Sequence, residues 1–127
     1  MNTSYKPTPS EMEILQILWK NGPSSVKQVN EILSEKKPKG YTTTLKIMQI
    51  MADKGMVSRE SEGKLHIYAA NYDETQVKKS AVNNMVEQVF EGAAMELVLQ
   101  TLGNYKPTHD EIKELKELLS QFEKSNS

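Results

Sequence analysis

Thr42, Thr43, Lys46 and Gln49 are three short hydrogen-bonding side chains and one cation, spaced for one side of a helix. At about 100° per residue they share an arc with Asp53, while Thr44, Ile47, Met48 and Met51 fall on the opposite arc. Such a face suits a DNA major groove. Glutamine and threonine reach base edges, a threonine methyl meets a thymine methyl, and lysine reaches guanine or phosphate. A merely solvated helix face has the same look, so the neighbouring elements decide between the two. Leu45 and Ile50 flank the arc, where packing against the hairpin or contact with thymine methyls is open to both, and the rim of the core is the expected place for each.

Other cations fit a supporting role. Lys36, Lys37 and Lys39 form the densest basic run of the chain, and Arg59 and Lys64 lie further on. Long cations on loops track a phosphate backbone without reading sequence. Tyr41, at the predicted helix start, can donate its hydroxyl to a phosphate, and a helix N-terminus favours the same group. Enzyme chemistry finds no footing. His66 and His109 sit in different segments without partners at ligand spacing, so no metal site or cofactor is expected. Glu60-Ser61-Glu62 and Asp110-Glu111 look like turn and helix-start charges, and there is no glycine-rich phosphate loop. Met48, Met51 and Met56 read as core fillers.

The positioning elements follow from punctuation and period. Thr8-Pro9-Ser10-Glu11 carries a capping box with proline at the first helical position. Met12, Leu15, Leu18 and Trp19 then form an apolar face, edged by Ile14 and Ile17, and Asn21-Gly22-Pro23 ends the helix. A second helix starting at Ser24 or Ser25 buries Val26, Val29, Ile32 and Leu33. Lys36 to Gly40 breaks it, and the polar-faced helix runs from there to Lys54-Gly55. Met56–Ser61 and Lys64–Ala69 then read as a hairpin around Glu62-Gly63. In its second run Leu65, Ile67 and Ala69 point one way, and Lys64, His66 and Tyr68 the other. Three helices and a short hairpin is the order of a winged helix-turn-helix domain.

From residue 73 the chain is helical again, and the expected division is a winged-helix domain over 1–72 and a helical region over 73–127. Val77, Met85, Val89, Leu97, Val98, Leu99 and Leu102 exceed what three short helices can bury among themselves, so a homodimer interface is expected there. Thr108 and Glu111 form a further capping box, opening a helix with Ile112, Leu115, Leu119 and Phe122 on one side. The fold class is mainly α with a small β-hairpin.

The chain has 127 residues and no cysteine, which excludes a disulfide scaffold, a thiolate nucleophile and any cysteine-built metal site. No apolar run approaches a membrane span of roughly 20 residues. The N-terminal residues Met1 to Pro7 lack the apolar core of a signal peptide, so a cytoplasmic location without membrane insertion is expected. The net charge of −1 is uneven: residues 1–70 hold ten Lys and Arg against seven Asp and Glu, the remainder six against ten. A basic half joined to an acidic half suggests division of labour.

Glu13–Trp19, Tyr41–Leu45, Lys54-Gly55-Met56-Val57 and Tyr68 stand in an order that resembles the penicillinase-repressor and methicillin-resistance-repressor family, which also includes copper-responsive repressors. The resemblance covers nearly the whole chain. It implies a dimeric winged-helix repressor that docks its third helix in the major groove of a palindromic double-stranded DNA operator. It also implies a sensor protease, which inactivates antibiotic-responsive members by cutting an Asn-Phe bond in the dimerisation arm. Here Gln100-Thr101 stands at that place, which predicts resistance to such a protease. The copper-responsive members coordinate metal through C-terminal cysteines, and this chain has none. Fold leaves one alternative open, a winged-helix module for protein–protein contact without specific DNA binding.

Overall fold

The computed structural model describes residues 6–126. Helix α1 (Pro9–Asn21) begins at a reciprocal cap. The Thr8 hydroxyl accepts from the Glu11 backbone N–H at 3.2 Å, and Glu11 Oε1 accepts from the Thr8 N–H at 2.9 Å. A two-residue strand, β1 (Ser24–Ser25), leads into α2 (Val26–Ser34). Ser25 and Gln28 form a second capping box there, a pairing that fixes which of the two serines starts the helix. Helix α3 (Tyr41–Asp53) is followed by β2 (Val57–Glu62) and β3 (Leu65–Ala70). Three further helices complete the order: α4 (Glu74–Val89), α5 (Ala94–Asn104) and α6 (His109–Ser125).

The fold is the mainly helical winged arrangement expected, with one added strand. β1 pairs antiparallel with β3, placing Ser24 opposite Tyr68, so the sheet order is β1-β3-β2. The hairpin is shifted by one residue from its expected place, and it turns over Gly63 and Lys64. Gly63 takes φ 64°, which a residue without Cβ adopts at little cost. The sheet reaches the core through Val57 and Tyr68, both buried, whereas Leu65 is 53% exposed and Ile67 and Ala69 are half-buried. Only the base of the hairpin meets the helices, so apolar alternation near its tip does not report an inward face.

The core gathers Ile14, Leu15, Ile17 and Leu18 of α1, Val26 and Val29 of α2, Met48 and Met51 of α3, then Met56, Val57 and Tyr68. Ile14 and Ile17, expected at the edge, are central, while Met12 and Trp19 are half-buried. Trp19 Nε1 donates to the Tyr72 carbonyl at 2.9 Å and ties α1 to the chain leaving the sheet. Ile32 and Leu33 pack on the core without being fully enclosed.

The chain divides into two compact units, one ending at Asn83 and the other starting at Asn84. In the second unit α4 ends in a left-handed turn: the Phe90 and Gly92 N–H groups both donate to the Val86 carbonyl, with Glu91 at φ 50°. α6 starts at the expected Thr108–Glu111 box, and Tyr105 Oη also donates to the Glu111 carboxylate at 2.7 and 2.8 Å. Its apolar face is not buried within the chain: Ile112, Leu119 and Phe122 are exposed and Leu115 half-buried. Among the described residues no helix is long and apolar enough to cross a membrane.

Glu11 is the one buried carboxylate among the described residues, and it serves two partners. Oε1 closes the cap, and Oε2 accepts from Lys54 Nζ at 2.8 Å, joining the start of α1 to the end of α3. Burial pushes its pKa up, but the Lys54 hydrogen bond and the Thr8 backbone N–H pull harder, and the net shift is down. A depressed folded pKa contributes stability above the ordinary value of 4.5 and loses it as pH falls through the folded value. Glu11→Gln is therefore expected to be less stable than the parent by about 1 kcal/mol at pH 7. The gap should close as pH drops below 4.5. Urea denaturation at a series of pH values measures both.

Candidate nucleic-acid interface

Helix α3 shows a dry back and a wet front. Thr44, Met48 and Met51 repeat at i, i+4 and i+7 and are fully buried. Thr42, Thr43, Lys46, Gln49 and Asp53 are exposed on the other side. None of the front side chains makes a hydrogen bond or ion pair with another described residue. Polar groups held on a rigid helix with their donors and acceptors open to solvent are available to a partner that presents matching edges. Gly40, the N-cap of α3, supplies no side-chain acceptor to the first backbone N–H groups of the helix. Tyr41, the first helical residue, is half exposed beside them.

A network that the sequence did not announce fixes this helix. Asn30 of α2 donates both to the Lys39 carbonyl at 3.0 Å and to Thr44 Oγ1 at 2.8 Å. Ser34 Oγ accepts from the Lys39 N–H at 3.3 Å and lies 3.4 Å from the Lys39 carbonyl. The α2–α3 loop and the first turn of α3 are thus pinned to one face of α2. A threonine between two exposed threonines is a weak signal for such a role. Asn30 carried none, because its partners are nine and fourteen residues away.

The expected phosphate contacts do not stand alike. Lys36, Lys37, Arg59 and Lys64 are exposed and, among the described residues, without an ion pair. Lys64 sits in the hairpin turn, and Arg59 lies opposite Tyr68 on the edge strand β2. Lys39 differs: it is half-buried, and its Nζ lies 3.4 Å from Glu13 Oε1, so part of its charge is already answered. Leu45 packs at the core rim as expected, but Ile50 is 40% exposed. No group of three or more residues able to hold a metal ion is present among the described residues.

The residues expected at a dimer interface also separate. Val77 is fully buried within the chain and leaves no surface for a second copy, which corrects its place in that set. Leu97 is half-buried, whereas Met85, Val89, Val98, Leu99 and Leu102 are exposed. Gln100 and Thr101 lie inside α5, both exposed, and Thr101 Oγ1 donates to the Leu97 carbonyl at 2.8 Å.

A family model described as "Penicillinase repressor" matches residues 7–121. The methicillin resistance regulatory protein MecI of Staphylococcus aureus is 24% identical over 120 residues, spanning 94% of this chain and 98% of its own. The penicillinase repressor of Bacillus licheniformis is 23% identical over 112 residues, 88% of each chain. Among solved structures, the DNA-binding domain of the repressor BlaI aligns with a TM-score of 0.52 at 23% identity, over 59% of this chain and 92% of that one.

The α2–α3 bridge generates a prediction about stability. Thr44→Val keeps the shape of the buried side chain but removes the acceptor for Asn30. A half-buried amide losing one partner is expected to cost about 1–2 kcal/mol. Chemical denaturation of parent and variant measures it, and Thr44→Ser, which restores the hydroxyl, should recover part of the loss.

Proposed function

We propose that this chain, which belongs to the penicillinase repressor family, is a DNA-binding transcriptional repressor that works as a homodimer on a palindromic operator and acts in the cytoplasm. It is not an enzyme. The observation that carries the reading is the unpartnered polar front of α3, backed by a fully buried rear. Thr42, Thr43, Lys46 and Gln49 would enter the major groove, and the backbone N–H groups at the start of α3 would meet a phosphate, with Tyr41 beside them. Lys64 and Arg59 on the hairpin, with the α2–α3 loop lysines, would hold the flanking backbone. The family and its Bacillus licheniformis member are named penicillinase repressor, and the fold matches a repressor's DNA-binding domain, which supports the same reading.

Two copies follow from the second unit. The exposed apolar residues of α5 and α6 are too many for a stable isolated surface and are supplied with cover by a second copy. Two half-sites about 34–36 Å apart would then be bound together, and the second contact becomes effectively intramolecular. Loss of the dimer would release the operator. A sensor protease cutting the arm is one route to that end. The bond at Gln100-Thr101 would first have to leave the helical conformation of α5.

A fragment upstream of the protein's own coding sequence, titrated at several salt concentrations beside random DNA, tests the reading. Lys46→Ala is expected to cost roughly 1–3 kcal/mol on the specific fragment and much less on random DNA. Lys64→Ala should weaken both alike and flatten the salt slope by about one unit. Lys39→Ala should do less, because Glu13 already faces that cation. Absence of any preference for the specific fragment would favour the protein-contact module instead.

The dimer has its own test. Leu99 and Leu119 are 63% and 59% exposed, so a charge at either leaves the fold of one chain undisturbed. Leu99→Glu or Leu119→Glu is expected to shift sedimentation from dimer to monomer, with unchanged circular dichroism and at least about tenfold weaker operator binding. Retention of the dimer by both variants would place the interface elsewhere.

A further inference from the structure

Ile50 is the odd residue on the exposed side of α3. At 100° per residue it lies between the directions of Thr43 and Lys46, so the three form one stripe at i, i+3 and i+7. Its apolar neighbours in sequence behave differently: Leu45 and Ile47 are partly buried and pack on the core, whereas Ile50 is 40% exposed. A branched aliphatic chain offers neither a hydrogen bond nor a charge. In a groove lined with donors and acceptors, its favourable contact is with another apolar group. The major groove presents one such group, the 5-methyl of thymine.

We propose that Ile50 is a specificity-determining residue of this chain, packing on the 5-methyl of a thymine in each half-site beside the bases reached by Thr43 and Lys46. The inference rests on the reading of α3 as the helix that enters the groove. It adds an apolar contact to an otherwise polar interface and assigns one thymine per half-site to it.

Deoxyuridine differs from thymidine by that methyl alone, which makes the test chemical as well as mutational. Duplexes bound by the full-length protein are selected from a random pool, and each thymine of the common sequence is replaced in turn by deoxyuridine. The parent should lose roughly fourfold in affinity at one position per half-site, about what burial of one methyl supplies. Ile50→Val should keep that sensitivity, and Ile50→Ala should bind the thymine and uracil duplexes equally. Ile50 is exposed, so circular dichroism should be unchanged in both variants.

Several results would overturn the assignment. They are a selected sequence without thymine, a parent indifferent to every replacement, or an Ile50→Ala variant that keeps the same sensitivity at the same position. That last outcome would hand the methyl contact to Thr43. A pool that yields no common sequence would instead overturn the DNA reading on which the assignment rests.

Discussion

The amide of Asn30 decides what α3 can present. Met48 and Met51 attract the helix to the core, but flexible thioether side chains locate a helix better than they fix its rotation. Thr44, buried between them and the loop, supplies the missing constraint by accepting from Asn30, which also holds the Lys39 carbonyl. A buried hydroxyl in an otherwise apolar row would be a liability without that partner. With it, one angular setting of α3 is favoured, because rotation would leave both the amide and the hydroxyl unpaired. No buried side-chain polar atom among the described residues lacks a partner, so the network is closed. The front face is free because the rear is fully committed.

A second tie acts at the other end of the same helix. Lys54 reaches Glu11, whose remaining oxygen caps α1, so the end of α3 is fastened to the start of α1. The Asn30 bridge sets the entry of α3, and this pair sets its exit. Both ties run to helices that carry none of the residues proposed to face the groove. That is the sense in which a recognition helix is built by its neighbours, and why a helix with the same front residues in isolation would read nothing.

What was legible in the sequence was local. Thr8 with Glu11 and Thr108 with Glu111 announce helix starts because both partners of a capping box sit three residues apart. The polar arc of α3 was legible for the same reason, since period alone assigns it. The remainder depends on chain segments far apart in sequence. Two serines make a strand only when Tyr68 passes beside them, and Trp19 finds its acceptor 53 residues on. Tyr68 was expected to face away from Leu65 and Ile67, and it does. That it is Tyr68 that turns inward is settled by how far the hairpin projects past the helices, which alternation does not encode. Val77 read as interface because it was counted among apolar residues in excess of what three short helices bury, yet its own chain buries it. Ile50 and Leu45 looked equivalent on either flank of the arc, and only their packing separates them.

The two halves of the chain answer opposite demands. The first unit encloses its apolar residues and leaves a polar, cation-flanked face outward. The second leaves apolar residues of α5 and α6 outward, and α6 carries five acidic residues against three lysines. In the proposed dimer those outward apolar residues are the surface that holds the two copies together. Such an arm is easily disabled. Severing the chain inside α5 would detach α6 and the last turn of α5 together, and with them Leu102, Leu119 and Phe122. The first unit would stay folded, because its core is made by α1, α2, α3 and the sheet. The affinity of the pair would then fall to that of one half-site, since joint binding multiplies two modest contacts only while they are linked. An operator released this way needs no change in α3 itself.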